Sequence, residues 1–389
     1  MNAGVFSVLT PPGRGGIAVV RCLGPAAVRA MEASFRPPGR ARGLPDVGRL
    51  AYGHFVDAGG RPLDEIVLYR AAETVFEVNC HGGPAAVEAV CRRLADLGME
   101  QVDPDRLLTI EGAGPIERDA ERMLREARTP LAGRILLDQR NGALARAVEE
   151  ILKDLAAGRS AEAGKELDAL LERWQSCGRL LASPPRVAVT GPPNVGKSTL
   201  VNRLVGAERV ITSATPGTTR DYVEAHAAIE GLPVVLVDTA GLRESGEAIE
   251  REGVARARRE MRAAAVVVYL LDAAEGVRPE DEAALGALGE RAVAAWNKAD
   301  LAARLLGKPA AVAISALAGE GIEALAESVL ARLGYQATAP GEAVPFTAAQ
   351  AAAIERARDA LATGDSAAAK ERLESLAGGA TSAGRCPAT

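Results

Sequence analysis

Arg186-Val-Ala-Val-Thr-Gly191-Pro-Pro-Asn-Val-Gly-Lys197-Ser198-Thr-Leu-Val-Asn-Arg-Leu204 decides the fold of this chain. A β-type run ends at a glycine, and a helical pattern opens at Ser198. Between them, Gly191 to Ser198 fits G-x-x-x-x-G-K-[ST] in the strand–loop–helix context that a phosphate-binding loop requires. Gly191 and Gly196 let the backbone wrap, so that N–H groups across Asn194, Val195, Gly196, Lys197, Ser198 and Thr199 point at phosphate oxygens. The helix N-terminus adds a dipole that favours the anion. Lys197 is expected at the β- and γ-phosphates, and Ser198 on Mg²⁺. Such a loop alone also serves ATPases and kinases.

Three later segments narrow the nucleotide. Asp238-Thr-Ala-Gly241 ends the apolar run Pro233–Val237, which sends the Asp238 carboxylate toward Mg²⁺ through a water and leaves Gly241 to sense the γ-phosphate by its N–H. Asn297-Lys298-Ala-Asp300 follows Ala292–Trp296. The Asp300 carboxylate would accept from guanine N1–H and the 2-amino group together, a pattern that adenine lacks. Ser315-Ala316, after Ala311–Ile314, would support the guanine keto oxygen through backbone N–H. Each segment alone is also explained as a strand end followed by a turn; the ordered set implies GTP rather than ATP.

Alternating strands and helices over 184–335 predict a doubly wound GTPase domain. Residues 1–112 read as a small α/β domain, with strand runs at Gly16–Val20 and Glu65–Tyr69 and helices at Pro25–Phe35 and Ala85–Leu97. Residues 113–183 shift to Ala, Leu, Glu and Arg, with helical periodicity over Gly142–Ala157 and Ala163–Leu181. Residues 336–389 carry one further helical stretch, Ala348–Leu376, then a small polar tail expected to be flexible. The fold class is therefore α/β, a P-loop GTPase domain inserted in a helical domain and preceded by a small α/β domain.

Composition adds exclusions. A net charge of −5 over 389 residues makes no overall case for nucleic-acid binding, although a local basic face remains open. Five scattered cysteines suit a reducing cytoplasm, and three histidines suggest no metal cluster. No run approaches the roughly eighteen apolar residues of a membrane span, so the expectation is a cytoplasmic protein with no membrane contact.

Thr10-Pro-Pro-Gly-Arg-Gly-Gly16, His81-Gly-Gly-Pro84, Pro193–Ser198, Gly217-Thr-Thr-Arg-Asp221 and Asp238-Thr-Ala-Gly-Leu-Arg-Glu244 resemble the MnmE (TrmE) family of tRNA-modification GTPases. The resemblance implies modification of a tRNA wobble uridine (5-carboxymethylaminomethyl type) with a flavin-dependent MnmG-type partner. It also implies a homodimer formed through residues 1–112 and a formyl-tetrahydrofolate there; Arg14, Gly15 and His81 are candidate contacts, and ordinary glycine-rich turns explain those segments equally well. Where many GTPases place a water-orienting Gln after Asp-x-x-Gly, this chain has Leu242. Glu250 matches the family's catalytic glutamate; a solvated helix-face glutamate is the alternative, with Glu247 or Glu244 as substitutes. No arginine finger is evident, Arg220 and Arg243 being better suited to switch-loop ion pairs. The resemblance instead implies K⁺, held by Asn194 beneath a covering loop at Thr212–Thr218. An ordinary turn residue is the alternative for Asn194. Thr218 or Thr219 would close on Mg²⁺.

The chain departs from the family in a shortened helical region, in Gly98–Arg118, and in an end, Gly384-Arg-Cys386-Pro-Ala-Thr389, that lacks the Cys-Ile-Gly-Lys-type tail. These departures keep open an alternative: a diverged GTP-gated assembly or signalling factor that no longer modifies tRNA. A ribosome-assembly GTPase is a weaker one, since no basic RNA-binding module of KH type is evident.

Overall fold

The computed structural model describes residues 4–11, 13, 15–39, 43–207, 224–238, 261–301 and 311–378. The chain divides into two compact units, Met1–Gly114 and Pro115–Thr389.

In the first unit, β1 (Gly4–Val8), β2 (Ile17–Leu23), α1 (Pro25–Ser34), β3 (Phe35–Arg36), β4 (Leu50–Val56), β5 (Pro62–Ala72), β6 (Val75–His81), α2 (Pro84–Asp96), β7 (Met99–Gln101) and α3 (Pro104–Ile110) follow in order. The strands form one sheet, β3-β4-β5-β6-β2-β1-β7, antiparallel except where β7 runs parallel to β1. Period-two alternation decides its faces: Ile66 and Leu68 of β5 are buried, while Val67 between them points outward. Phe6, Phe55, Phe76, Met31 and Leu94 fill the core between the sheet and its helices. Prolines at the first helical positions of α1 and α2 cost no hydrogen bond.

The second unit starts with helices α4 (Pro115–Glu126), α5 (Pro130–Arg140), α6 (Ala143–Ala156) and α7 (Ser160–Arg173), then a π-helical turn (Trp174–Gly178) and α8 (Arg179–Ala182). A parallel sheet follows, built from β8 (Arg186–Thr190), β9 (Glu224–Ile229), β10 (Leu232–Asp238), β11 (Val266–Asp272), β12 (Ala292–Asn297) and β13 (Val312–Ala313). Helices α9 (Lys197–Ala207), α10 (Pro279–Leu288) and α11 (Ile322–Leu333) alternate with its strands. Its order is β13-β12-β11-β8-β10-β9, with only β9 antiparallel among the described strands. Every residue of β11 is buried, as expected for a strand covered on both faces.

After α11 the chain returns to the helices as α12 (Ala348–Ala362) and α13 (Ser366–Ala377). Ile116, Leu144, Val148, Ile151 and Leu167 share one core with Phe346, Ile354 and Leu373, so the GTPase sheet is inserted in a helical domain. The stretch Ala348–Leu376, expected as one helix, is two. Thr363-Gly364-Asp365 breaks it, and the Asp365 carboxylate accepts from the Ala368 N–H to cap the second helix. The periodicity over Ala163–Leu181 is likewise divided by the π turn. A Cβ on Gly178 would lie 1.8 Å from the Pro345 carbonyl oxygen, so the two chain crossings between helices and sheet touch backbone to backbone here. Buried Gln139 ties the returning segment to α5: its Nε2 donates to the Glu342 carbonyl, and its Oε1 accepts from the Val344 N–H.

Candidate functional site

The sheet changes direction around β8: the chain passes to β9 and β10 on one side, then to β11 and β12 on the other. The crevice at the carboxyl ends of these strands is where doubly wound sheets bind ligands. Residues 191–196 leave β8 into it. Pro192 and Val195 are buried and anchor the loop, whereas Pro193 and Asn194 stand exposed at its crest. Gly191 (141°), Asn194 (59°) and Gly196 (99°) take positive φ, the kind of backbone turn from which anion-binding nests are built. The Lys197 ammonium folds back across the loop and donates to the carbonyl oxygens of Gly191 (3.1 Å) and Pro192 (2.6 Å). Its charge thus lies along the mouth. Ser198 and Thr199 are exposed in the first turn of α9.

The other half of the site hangs on Asn297, the last residue of β12 and only 3% exposed. Its Nδ2 donates to the Val195 carbonyl at 2.6 Å, and its Oδ1 accepts from the Ala316 N–H at 2.9 Å. One amide therefore ties the phosphate loop to the segment after β13. A Cβ on Gly196 would come within 2.3 Å of that Nδ2, so any larger residue there pushes on the tie. Asp300 is exposed on a short turn closed by Leu301 N–H to the Lys298 carbonyl, where a carboxylate can receive a base edge. The N–H groups of Ser315 and Ala316, expected to face a keto oxygen, are engaged inside the protein, with the Glu320 carbonyl and with Asn297.

Lys298 holds φ at 63° and donates to Asp272 Oδ2 at 2.6 Å. Burial would raise the Asp272 carboxyl, but the Lys298 ammonium and the N–H groups of Ala274 and Glu275 together hold it below its ordinary value. Sequence reasoning missed Asp272, although its signal was present: an Asp at the end of an apolar strand, as at Asp238. Also missed were Arg203, whose Nε donates to the Ala316 carbonyl, and Asp64 in the first unit. Asp64 accepts from the His81 N–H at 2.8 Å and pairs with His81 Nδ1 at 2.6 Å. That hydrogen bond raises the His81 pKa.

The backbone of Asp238 pairs with Val189, placing the end of β10 beside the phosphate loop. Gly241, Thr218, Thr219, Glu250 and its substitutes Glu247 and Glu244 lie outside the described residues, as do Leu242, Arg14, Arg220, Arg243 and Cys386. Among the described residues no cluster of His, Cys, Asp and Glu is arranged to hold a metal, and no helix is long and apolar enough to cross a membrane.

The family of 50S ribosome-binding GTPases matches residues 186–298, and the GTP-binding protein TrmE N-terminus matches residues 4–104. The tRNA modification GTPase MnmE of Parasynechococcus marenigrum is 37% identical to this chain, over 94% of it and 87% of the relative. MnmE of Alkalilimnicola ehrlichii is 33% identical over 96% of this chain and 91% of its own length. MnmE of Moorella thermoacetica is 33% identical over 92% and 88%. The chain belongs to the MnmE family. As a member of that family it is a GTP-hydrolysing enzyme whose nucleotide is guanine and whose phosphates call for Mg²⁺. The residues fit that ligand: a wrapped loop, an ammonium along its mouth, a carboxylate at the far end, and the amide of Asn297 joining the two.

The Asp272–Lys298 pair yields a prediction. A carboxyl held low in the folded state stabilises fully above its unfolded pKa of about 3.9, and that contribution is lost as pH falls through the lower folded value. Asp272→Asn is expected to cost about 2 kcal/mol at neutral pH. Thermal melts of both proteins should keep that gap from pH 7 to about pH 5 and narrow it below about pH 4. A gap independent of pH would mean that the ion pair is not its source.

Proposed function

We propose that this enzyme is a Mg²⁺-dependent, K⁺-stimulated GTPase that acts in tRNA modification. Its target is the wobble uridine (5-carboxymethylaminomethyl type), and its partner is a flavin-dependent MnmG-type subunit. One observation carries the reading: a TrmE-type N-terminal unit precedes a GTPase sheet whose phosphate loop and base segments are joined by Asn297. The relatives named as tRNA modification GTPases match over nearly the whole chain, which supports the same role here. The proposed organisation is 1–112 for dimerisation and a formyl-tetrahydrofolate, 113–183 and 336–389 for the helical domain, and 184–335 for the GTPase. The compartment is the cytoplasm.

The backbone from Gly191 through Asn194, Val195, Gly196, Lys197, Ser198 and Thr199 cradles the phosphates, with the Lys197 ammonium at the β- and γ-groups. When bound there, Mg²⁺ and K⁺ would supply positive charge against that developing on the phosphates. Ser198, Asp238 and Thr219 are the proposed holders of Mg²⁺, and Asn194, exposed at the loop crest, that of K⁺. Thr218 closes over the nucleotide, and Gly241 meets the γ-phosphate by its N–H. Glu250 holds the attacking water in place of a Gln. Asn297, Lys298, Asp300, Ser315 and Ala316 frame the base, with the Ala316 N–H shared between Asn297 Oδ1 and the guanine keto oxygen.

Three experiments test this. Glu250→Ala should lower single-turnover GTP hydrolysis by a factor on the order of 10²–10⁴ with GTP affinity nearly unchanged; wild-type turnover would take Glu250 out of the mechanism. Replacing K⁺ by Na⁺ should slow hydrolysis by the wild-type protein, and equal rates would discard the monovalent cation. Mass spectrometry of bulk tRNA nucleosides, with the gene present and deleted, should show loss of the modified wobble uridine on deletion. An unchanged profile beside intact GTPase activity would indicate a repurposed switch.

A further inference from the structure

We propose that Arg203 is a positioning residue for guanine recognition, acting through the backbone of Ala316 and Leu317. Arg203 lies on α9, about 1.7 turns beyond Lys197, and belongs to none of the nucleotide-binding segments. Its Nε donates to the Ala316 carbonyl at 2.6 Å, and its Nη2 donates to the Leu317 carbonyl. The N–H of that same Ala316 is held by Asn297 Oδ1 at 2.9 Å. Ala316 is therefore gripped at both backbone polar groups, from two different elements.

The ties close a ring. Val195 in the phosphate loop accepts from Asn297, Asn297 accepts from Ala316, and Ala316 accepts from Arg203. Helix α9 then leads covalently back from Arg203 to the phosphate loop. The turn beyond is shaped to admit the guanidinium. Gly319 N–H donates to the Ser315 carbonyl at 2.7 Å, and Ala318 N–H donates to Ser315 Oγ at 3.1 Å. Gly319 has φ of 89°, and a Cβ there would stand 2.7 Å from Arg203 Nη1. The positive φ favours glycine here, and a side chain would displace the guanidinium.

The physical consequence concerns direction. A hydrogen bond weakens steeply once donor and acceptor are misaligned, so an N–H recognises a keto oxygen only if its peptide plane is fixed. A guanidinium is a rigid planar fork, and its bonds to carbonyls are charge-assisted, so it fixes two successive planes better than water would. Arg203 fixes peptide planes 316–317 and 317–318 and so anchors Ala316 from its carboxyl side, while Asn297 and the Gly319 N–H on the Ser315 carbonyl hold the plane that carries the Ala316 N–H; together they set its aim without Arg203 touching the base. Because the ring passes through the helix that follows the phosphate loop, base aim and phosphate-loop position are linked. The inference rests on the proposed role of residues 297–300 and 315–316 in framing guanine.

The test compares GDP with two analogues on the full chain by calorimetry. In 6-thio-GDP a weakly accepting sulfur replaces the keto oxygen, which probes the Ala316 side. IDP lacks the 2-amino group, which probes the Asp300 side. The wild-type protein should prefer GDP to 6-thio-GDP by about tenfold. In Arg203→Ala that preference should fall to about twofold, with GDP binding about tenfold weaker, while the preference for GDP over IDP stays as in the wild type. Arg203→Lys, which can reach one carbonyl, should restore part of the lost preference. Arg203→Gln carries the same comparison if the alanine variant does not fold by circular dichroism. An unchanged preference for GDP over 6-thio-GDP in the folded variants overturns the proposal, and so does an equal loss against both analogues. A wild-type protein that distinguishes GDP from neither analogue would overturn the base-framing role itself, and this proposal with it.

Discussion

The side-chain amide of Asn297 is the interaction on which the site depends. It sits at the end of a buried strand, donates to the phosphate loop at Val195 and accepts from Ala316. A buried amide with both ends satisfied is rigid, and a half-satisfied one is costly, so the two loops are held in one mutual position. Gly196 is constrained by the same tie, since nothing larger than hydrogen fits beside Nδ2. Lys298 extends the arrangement outward: its ammonium is fixed by Asp272 from the neighbouring strand, so the segment that carries Asp300 leaves β12 in a defined direction. The phosphate loop, the segment after β13 and the segment that carries Asp300 are in this way parts of one hydrogen-bonded structure.

Insertion of the GTPase sheet in the helical domain gives that structure a mechanical setting. The chain enters the sheet after α8 and returns after α11, and the two crossings meet at the π turn, where Gly178 lies against the Pro345 carbonyl. Gln336 N–H donates to the Ser176 carbonyl, and Arg179 donates to the Leu333 carbonyl, so the crossings are also hydrogen-bonded to each other. Leu180 and Leu181 of α8 share a core with Val187, Leu236 and Val344, so the junction is packed rather than a loose linker. Helices on either side of the insertion then fold as one layer around Phe346, Ile354 and Leu144.

Much of this was legible in the sequence because the signals are local. Strand–glycine–helix at Arg186–Leu204 placed the phosphate loop, and the apolar runs before Asp238, Asn297 and Ser315 placed the strand ends that face it. Helices α1 and α2 were legible for the same reason. The break at Thr363-Gly364-Asp365 was not, because Ala-rich flanks continue the helical pattern through it, although left-handed Gly364 and the Asp365 cap mark the stop in the structure. Asp272, Arg203 and Asp64, missed by sequence reasoning, each have a side-chain bond to a partner between 17 and 114 residues away. No spacing rule connects such pairs.

The sequence by itself determined the element types, the nucleotide class and the family, because periodicity, glycine placement and contiguous motifs are properties of neighbouring residues. Tertiary structure alone decided what each motif residue bonds to. It made Asn297 a bridge between two loops, engaged the N–H groups of Ser315 and Ala316 inside the protein, and brought Arg203 to the far side of Ala316. Hydrogen bonds depend on distance and direction in space, and chain order specifies neither until the sheet has set its strand order.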